Sequence, residues 1–126
     1  MAAPLQQVGQ IRVNVQNIAR AVAFYRDVLG LTLLFEVPEQ EMAFFDCDGV
    51  RLYLAVDASG ETTTAPIYYT VQGLDQVYQE LEERGAQVTH PPATVYRLEQ
   101  VEGRMAFLND SEGNVIGLME ETPISM

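Results

Sequence analysis

The pattern of hydrophobic and polar positions in the first half of the chain predicts a strand, a helix and three more strands. Residues 10–15 alternate polar and apolar side chains, as a half-buried strand does. A helix is predicted next, with Asn17 as its N-cap and Gly30 as a left-handed residue at its end. Its apolar face consists of Ile18, Ala21, Val22, Tyr25, Val28 and Leu29. The strands that follow are predicted over 31–37, 42–47 and 50–56, the last two joined by a turn at Asp48 and Gly49.

The second half repeats this order of elements. Residues 66–71 have the character of a strand, and a second helix face follows at Leu74, Val77, Tyr78 and Leu81, before Gly85. Each of these four positions lies 56 residues after its counterpart in the first helix, as 74 minus 18 shows. The tripeptide Met-Ala-Phe at 42–44 recurs at 105–107, and each copy precedes a glycine turn. We therefore predict an α+β fold of two paired βαβββ modules, about 8–57 and 66–120, in a single domain over 6–121.

Several predicted strands carry polar or aromatic side chains on the side opposite their apolar face. Because a helix packs on the apolar side of a sheet, the opposite side is left to solvent or to a ligand. A convex face would simply be solvated, whereas a curled sheet would line a concave pocket with a few fixed polar groups, as ligand sites do. The residues that the alternation places there are Gln10, Arg12, Asn14, Arg51, Tyr53, Tyr68 and Thr70.

Two stretches resemble a known family. The run FYRDVLGL, residues 24–31, is similar to a motif of the vicinal oxygen chelate superfamily, which includes glyoxalase I, the extradiol dioxygenases, the fosfomycin-resistance enzymes and the bleomycin-resistance proteins. The stretch MAFLNDSEGNVIGLMEE, residues 105–121, resembles the family's closing pattern F-x-D-P-D-G-N-x-x-E-L. The resemblance implies a glyoxalase-like fold, in which the paired modules form a half-open curled sheet around a cleft, and it implies frequent homodimers.

The resemblance also implies four metal-ligand positions, and this sequence departs from the family at all of them. Metal-dependent members place a His early in the first strand, a Glu near the end of the first unit, a His or Glu opening the second unit and a Glu in the last strand. The corresponding residues here are Gln10, Tyr53, Pro66 and Gly117. Because divalent metals in such sites take imidazole and carboxylate ligands, we predict no metal site and no cofactor.

Composition narrows the range of partners. The chain has 18 acidic residues against 7 basic ones and a formal net charge of -11, so it repels phosphate backbones and anionic membranes. No apolar run is long enough to span a bilayer, and the N-terminus has no signal-peptide core. The single Cys47 excludes an intrachain disulfide, and the lack of lysine excludes Schiff-base chemistry. We expect a cytoplasmic protein with a small-molecule ligand and with no nucleic-acid or membrane partner.

Further candidates have competing interpretations. Residues 91–104 either cover the mouth of the cleft, with Tyr96 and Arg97 reaching in, or form a strand pair with an ordinary connection. Phe107 is either an aromatic wall for a ligand or plain core packing. The two arginines, Arg12 and Arg51, are ready partners for a carboxylate or phosphate, unless they pair with acidic neighbours.

Three other features favour structural roles. His90 is the lone histidine and is expected in a surface loop. Cys47 lies between two aspartates, which raise the pKa of a thiol, so a small packed residue is favoured over a reactive one. The acidic run 110–114 is interpreted as a hairpin turn rather than a calcium loop, because Val115 stands where an EF-hand loop needs glycine.

Three functional hypotheses follow. The first is a metal-free protein that binds a small organic molecule in its cleft, in the manner of the bleomycin-resistance proteins. The second is a lyase, isomerase or dioxygenase that holds a metal with atypical ligands. The third is a metal-free enzyme that uses Tyr53, His90 or a carboxylate as acid or base. The sequence leaves open whether a reaction is catalysed, and it identifies neither catalytic residues, the ligand, the dimer arrangement nor the physiological role.

Overall fold

The first module begins with the strand and helix that the alternation predicts. The structure is a computed structural model that describes residues 4–124. β1 spans Gln10–Val15 and α1 spans Ile18–Ala23. Asn17 caps α1 as predicted, because its side-chain oxygen accepts a hydrogen bond from the backbone N–H of Arg20 at 3.0 Å.

The first helix does not stay α-helical up to its predicted end. Phe24–Val28 form a π-helical turn, in which the N–H of Leu29 donates to the carbonyl of Phe24 at 3.0 Å. Phe24 and Tyr25 are both buried within this wider turn, and their ring centroids lie 5.7 Å apart in an edge-to-face contact. Gly30 follows with a φ of 77°, the left-handed conformation predicted for it.

Three more strands complete the first sheet. They are β2 (Thr32–Val37), β3 (Met42–Cys47) and β4 (Val50–Val56), with a single 3₁₀ turn at Pro38–Gln40. The strand order is β1-β4-β3-β2, with β1 parallel to β4 and the other neighbours antiparallel. Asp48 and Gly49, with φ values of 49° and 91°, make the predicted tight turn between β3 and β4.

One face of this sheet forms the core of the first module. The apolar residues of β1 and β4 that alternate toward α1 are buried, and the Tyr25 and Phe45 rings lie 6.0 Å apart. Burying such side chains is the main stabilising contribution to a module of this size. The buried set on this side includes Val13, Val15, Ala21, Val22, Ala43, Leu52 and Leu54. The opposite face of the sheet is therefore left for other contacts.

The second module repeats the topology of the first. Its elements are β5 (Ile67–Thr70), α2 (Leu74–Glu83), β6 (Gln87–Arg97), β7 (Val101–Asn109) and β8 (Val115–Pro123). The strand order is β5-β8-β7-β6, again with the first strand parallel to its neighbour. The chain is thus an α+β fold of two βαβββ modules. The boundary between its two compact units falls after Thr62, in the segment between β4 and β5.

A carboxylate from strand β8 caps the start of α2. Gly73, which precedes the helix, has no side chain to cap it. The Glu120 carboxylate of β8 accepts from the N–H groups of Gly73 at 2.7 Å and Leu74 at 3.0 Å, and these bonds lower the pKa of Glu120. Arg104 of β7 pairs with Asp75 in the first turn at 2.8 Å. These contacts anchor α2 on its own sheet.

Within residues 4–124, no helix has the length and apolar character needed to cross a membrane.

The longest strands of the second module settle two open points. Residues 91–97 belong to β6 and 101–104 to β7, so the strand-pair alternative for 91–104 is confirmed. The expectation that His90 lies in a surface loop is wrong, because it lies in β6 opposite Phe107. β6 is an edge strand with three register shifts, which lets two consecutive prolines stand inside it.

Candidate functional site

In the first module, a row of side chains crosses all four strands on the face opposite α1. Arg12 of β1 pairs in register with Tyr53 of β4, which pairs with Phe44 of β3, and Phe35 of β2 comes next. The Tyr53 and Phe44 rings are parallel within 6°, with centroids 4.8 Å apart, and the Phe44 and Phe35 rings are stacked at 4.5 Å. We call Arg12, Tyr53, Phe44 and Phe35 the aromatic row.

The two phenylalanines of the aromatic row differ in how much of each side chain is exposed. Phe44 is only 8% exposed because it lies between two rings, whereas Phe35 on the edge strand is 45% exposed. The Arg12 guanidinium carbon lies 5.6 Å from the centroid of Tyr53, at the other end of the row. A cation at this distance interacts favourably with the negative face of the ring.

Arg51 lies beside this row. It stands two residues before Tyr53 on β4, and its guanidinium carbon is 5.7 Å from the centroids of both Phe35 and Phe44. Neither Arg51 nor Arg12 makes an ion pair within the part of the chain that the structure describes. Among residues 4–124, the contacts of the two arginines are with the aromatic row and with Asn14.

The remaining two predicted ligand residues of the first module flank Arg12 on β1. Asn14 accepts a hydrogen bond from Arg12 Nε at 2.9 Å, which fixes the guanidinium plane. Gln10 is exposed and pairs in register with Arg51. All five predicted residues of this module thus lie on one sheet face. Sequence reasoning missed Phe35 and Phe44, although extending the alternation to the strand 42–47 places Phe44 opposite Tyr53.

In the second module, Tyr68 lies across Gly117 on the equivalent sheet face. The two residues are register partners on β5 and β8, and a Cβ built on Gly117 would stand 2.5 Å from Tyr68 Cδ2. The Tyr68 ring meets Phe107 of β7 edge to face at 5.8 Å, and Phe107 meets His90 in the same way at 5.8 Å. Phe107 is half-buried in this cluster rather than part of the core next to α2.

A small open pocket borders this cluster. It has a volume of about 320 Å³, and its lining is Thr89, His90, Phe107, Asn109 and Val115. The Nδ1 of His90 lies 3.3 Å from the hydroxyl of Thr89, and no carboxylate contacts the imidazole among the described residues. A general base of the usual kind needs a partner that orients it. This arrangement offers apolar surface and a hydroxyl but no acid–base pair at His90.

Tyr96 and Thr70, the other two predicted ligand residues, lie elsewhere on the second sheet. The Tyr96 ring covers Gly103 of β7, where any side chain would overlap it. Its hydroxyl donates a hydrogen bond to Glu121, and this bond is the main reason why the pKa of Tyr96 is raised. Thr70 is exposed on β5 and pairs in register with Met119. Tyr96 is therefore engaged by its own sheet.

The four positions that metal-dependent relatives use do not fit a metal ion. Gln10 offers an amide, and the ring of Tyr53 is stacked on Phe44. Pro66 has no side-chain atom that can bind a metal, and Gly117 is covered by the ring of Tyr68. Among residues 4–124, no three His, Cys, Asp or Glu side chains are grouped as ligands. Transition-metal sites need imidazole, thiolate or carboxylate donors. The residues present at these positions supply none of them.

Two other sequence candidates have structural roles. Burial, followed by the nearby Asp46 and Asp48, raises the pKa of the Cys47 thiol, as the prediction of an unreactive cysteine requires. Asp110 is buried in the turn before β8, where its carboxylate accepts from the N–H groups of Glu112 and Asn114, each at 2.8 Å. The hairpin-turn interpretation of 110–114 is confirmed, because this carboxylate is used to close the turn.

Comparison with known proteins agrees with the fold. Residues 7–118 match the family model Glyoxalase/Bleomycin resistance protein/Dioxygenase superfamily. The uncharacterized protein YraH of Bacillus subtilis (strain 168) is 26% identical over 121 residues, which cover 85% of this chain and 92% of YraH. A superfamily member from Sphaerobacter thermophilus has a TM-score of 0.77 at 22% identity, covering 92% of this chain and 98% of its own. Lactoylglutathione lyase from Agrobacterium tumefaciens has a TM-score of 0.70 at 21% identity, covering 94% and 96%.

Proposed function

Because the chain belongs to the Glyoxalase/Bleomycin resistance protein/Dioxygenase superfamily, we propose that it is a metal-free member that binds a small organic molecule. The binding surfaces are the two sheet faces that lie opposite α1 and α2. The work of such a protein is sequestration or sensing, as in the bleomycin-resistance branch that gives the family part of its name. A fold alone does not give a function, so the proposal rests on particular residues.

The contact of Tyr68 with Gly117 carries the proposal. The family pattern has a glutamate at the position of Gly117, and here a Cβ at that position would stand 2.5 Å from the Tyr68 ring. A carboxylate therefore cannot be accommodated there unless Tyr68 moves. In the first module, the corresponding position is Tyr53, whose ring is stacked between Arg12 and Phe44. An aromatic side chain thus stands at or over each of the two positions where relatives place a glutamate.

The same faces have the composition of a ligand surface. Small-molecule sites combine apolar and aromatic walls with a few fixed polar groups. The aromatic row supplies the walls in the first module, and Arg12, Asn14 and Arg51 supply the polar groups. Tyr68, Phe107 and His90 form a comparable cluster in the second module.

The net charge of the chain and the homodimers common in the superfamily bear on its partners and its oligomeric state. A formal charge of -11 disfavours nucleic acid and anionic membranes as partners. We further propose a cytoplasmic homodimer, since homodimers are frequent in the superfamily. Chemical cross-linking and sedimentation of the purified protein test the dimer, and a monomer at micromolar concentration would contradict it.

A thermal-shift screen in the presence of a chelator tests the binding function. The compounds are grouped as anionic, neutral and cationic organic molecules. A ligand that binds the folded state raises the midpoint of unfolding. We expect at least one class to do so with chelator present, and we expect the gain to shrink in Tyr53→Leu or Tyr68→Leu but not in Tyr78→Leu on α2.

Two results would contradict the proposal. A chain that no compound class stabilises is not a binding protein of this kind. A chain that gains stability only when nickel, zinc, iron or manganese is restored supports the alternative, a lyase, isomerase or dioxygenase that holds its metal with atypical ligands. The likeness to a lactoylglutathione lyase makes that enzyme's reaction the first assay in such a case.

A further inference from the structure

The two arginines of the first module's free face have unused hydrogen-bonding capacity. Arg12 uses Nε to donate to Asn14 Oδ1, a neutral acceptor, at 2.9 Å. Its two terminal nitrogens and the whole guanidinium of Arg51 make no hydrogen bond or ion pair within residues 4–124. In a chain with 18 acidic residues and 7 basic ones, two arginines on one sheet face that form no ion pair are unexpected.

The carboxylate opposite Arg51 is hydrogen-bonded in a turn. Asp46 is its register partner on β3, but Asp46 Oδ1 accepts a hydrogen bond from the N–H of Gly49 in the adjacent turn at 3.2 Å. Asp57 lies near Arg12, and its carboxylate is bonded to the hydroxyl of Ser59 and the N–H of Glu61. Both acids are thus hydrogen-bonded within turns, and neither forms an ion pair with Arg12 or Arg51 among residues 4–124.

The orientation of the aromatic rings beside the arginines also favours an anion. Because Tyr53, Phe44 and Phe35 are stacked face to face, their edges rather than their faces point away from the sheet. The edge of an aromatic ring carries the positive part of its quadrupole. The patch therefore combines ring edges and two guanidinium groups, which all favour an anion.

We propose that this patch binds an aryl carboxylate, with the carboxylate on Arg12 and Arg51 and the ring of the ligand against the aromatic row. The proposal deepens the proposed function and rests on it, since it assigns the chemical class of the ligand. Arginine suits this role because its planar fork of donors matches the two oxygens of a carboxylate. The guanidinium carbon of Arg51 lies 5.7 Å from the centroids of Phe35 and Phe44, so a ligand ring held beside Arg51 can contact the row.

Isothermal titration calorimetry with benzoate and benzamide tests the proposal. The two compounds share a ring and nearly a shape, but only benzoate carries the negative charge. We expect benzoate to bind at least about tenfold more tightly than benzamide, because charge-assisted hydrogen bonds contribute more than neutral ones. We also expect the affinity for benzoate to fall as salt rises.

Variants locate the site. Arg12→Gln and Arg51→Gln should each weaken benzoate binding by about tenfold, as expected when one charge-assisted bond is lost. The matched control is Arg26→Gln, which removes the same charge from the same module but lies outside the patch, where Arg26 pairs with Asp27 at 2.9 Å. Thermal unfolding of each variant shows that the exposed substitutions leave the fold intact.

The outcomes separate this inference from the proposed function. Equal affinity for benzoate and benzamide, absence of benzoate binding, or an equal loss in Arg26→Gln would each overturn the aryl-carboxylate assignment. If neutral or cationic compounds still stabilise the chain in the thermal-shift screen, the proposed binding function holds even though the aryl-carboxylate assignment fails. If no compound class does so, both fail.

Discussion

The ring of Tyr68 lies across Gly117 within the second sheet, so that a Cβ built on Gly117 would stand 2.5 Å from Tyr68 Cδ2. The two residues are register partners on parallel neighbouring strands, which fixes their approach. Gly117 also occupies the position of a glutamate in the family's closing pattern. A glutamate at this position would meet the ring of Tyr68.

Substituting Gly117 with alanine tests this contact. We expect Gly117→Ala to destabilise the protein by about 1–3 kcal/mol, as overpacking does, because the new methyl meets the Tyr68 ring. In the Tyr68→Ala background the same substitution should cost much less, giving a coupling of about 1 kcal/mol or more in a double-mutant cycle. Urea unfolding measures all four proteins.

The control for that cycle is Gly9→Ala. No heavy atom lies within 4 Å of a Cβ built on Gly9, so the substitution adds a methyl without overlap. It should change stability by less than about 1 kcal/mol. If Gly117→Ala proves as harmless as Gly9→Ala, Tyr68 does not occupy the space over Gly117 in solution.

The aromatic row predicts unequal effects of truncating its two phenylalanines. Phe44→Ala should destabilise by about 3 kcal/mol, since it removes a buried ring stacked on both sides. Phe35→Ala should cost about 1 kcal/mol, because a ring that is 45% exposed has buried less surface. Denaturant unfolding compares them, and equal losses would contradict the stacked arrangement.

The carboxylate that caps α2 predicts a pH-dependent stability difference. The pKa of Glu120 lies below its ordinary value of 4.5 because the N–H groups of Gly73 and Leu74 bond to it. Its contribution is therefore fully present above pH 4.5 and is lost as pH falls through the folded-state pKa. Glu120→Gln should cost about 1 kcal/mol at neutral pH, the usual contribution of a helix cap.

The gap between wild type and Glu120→Gln should close as the pH falls below 4.5. The control is Glu99→Gln, which alters an exposed acid of the same module and should change stability at neutral pH by much less than Glu120→Gln does. A gap that stays constant down to acidic pH would show that the ionised carboxylate of Glu120 does not hold the helix.

Local patterns in the sequence were enough to predict most of the fold. The strands 42–47 and 50–56, with the turn at Asp48 and Gly49, match β3 and β4 residue for residue. The π-helical turn at Phe24–Val28 could not be predicted, because the spacing of apolar side chains there fits an α-helix equally well. The strand position of His90 was hidden by the prolines that follow it, which an edge strand with register shifts can hold.

The candidate site was predicted only in part for a related reason. Alternation places Arg12, Arg51 and Tyr53 on one face, since each strand repeats with a period of two. The register between two strands decides which residues lie opposite each other. β5 and β8 are neighbours in the sheet but far apart in the chain, so no local pattern predicts their register. The pairing of Tyr68 with Gly117 could therefore be found only in the structure.

The metal content of the purified protein distinguishes a metal-free member of the family from a metal-dependent one. The protein is purified without a tag or chelator, soaked in nickel, zinc, iron or manganese, desalted and analysed by mass spectrometry. We expect far less than one transition-metal ion per chain before and after soaking, because Tyr53 stands at one expected ligand position and Tyr68 covers another. Close to one ion per chain, removable by chelation with a fall in thermal stability, would contradict it.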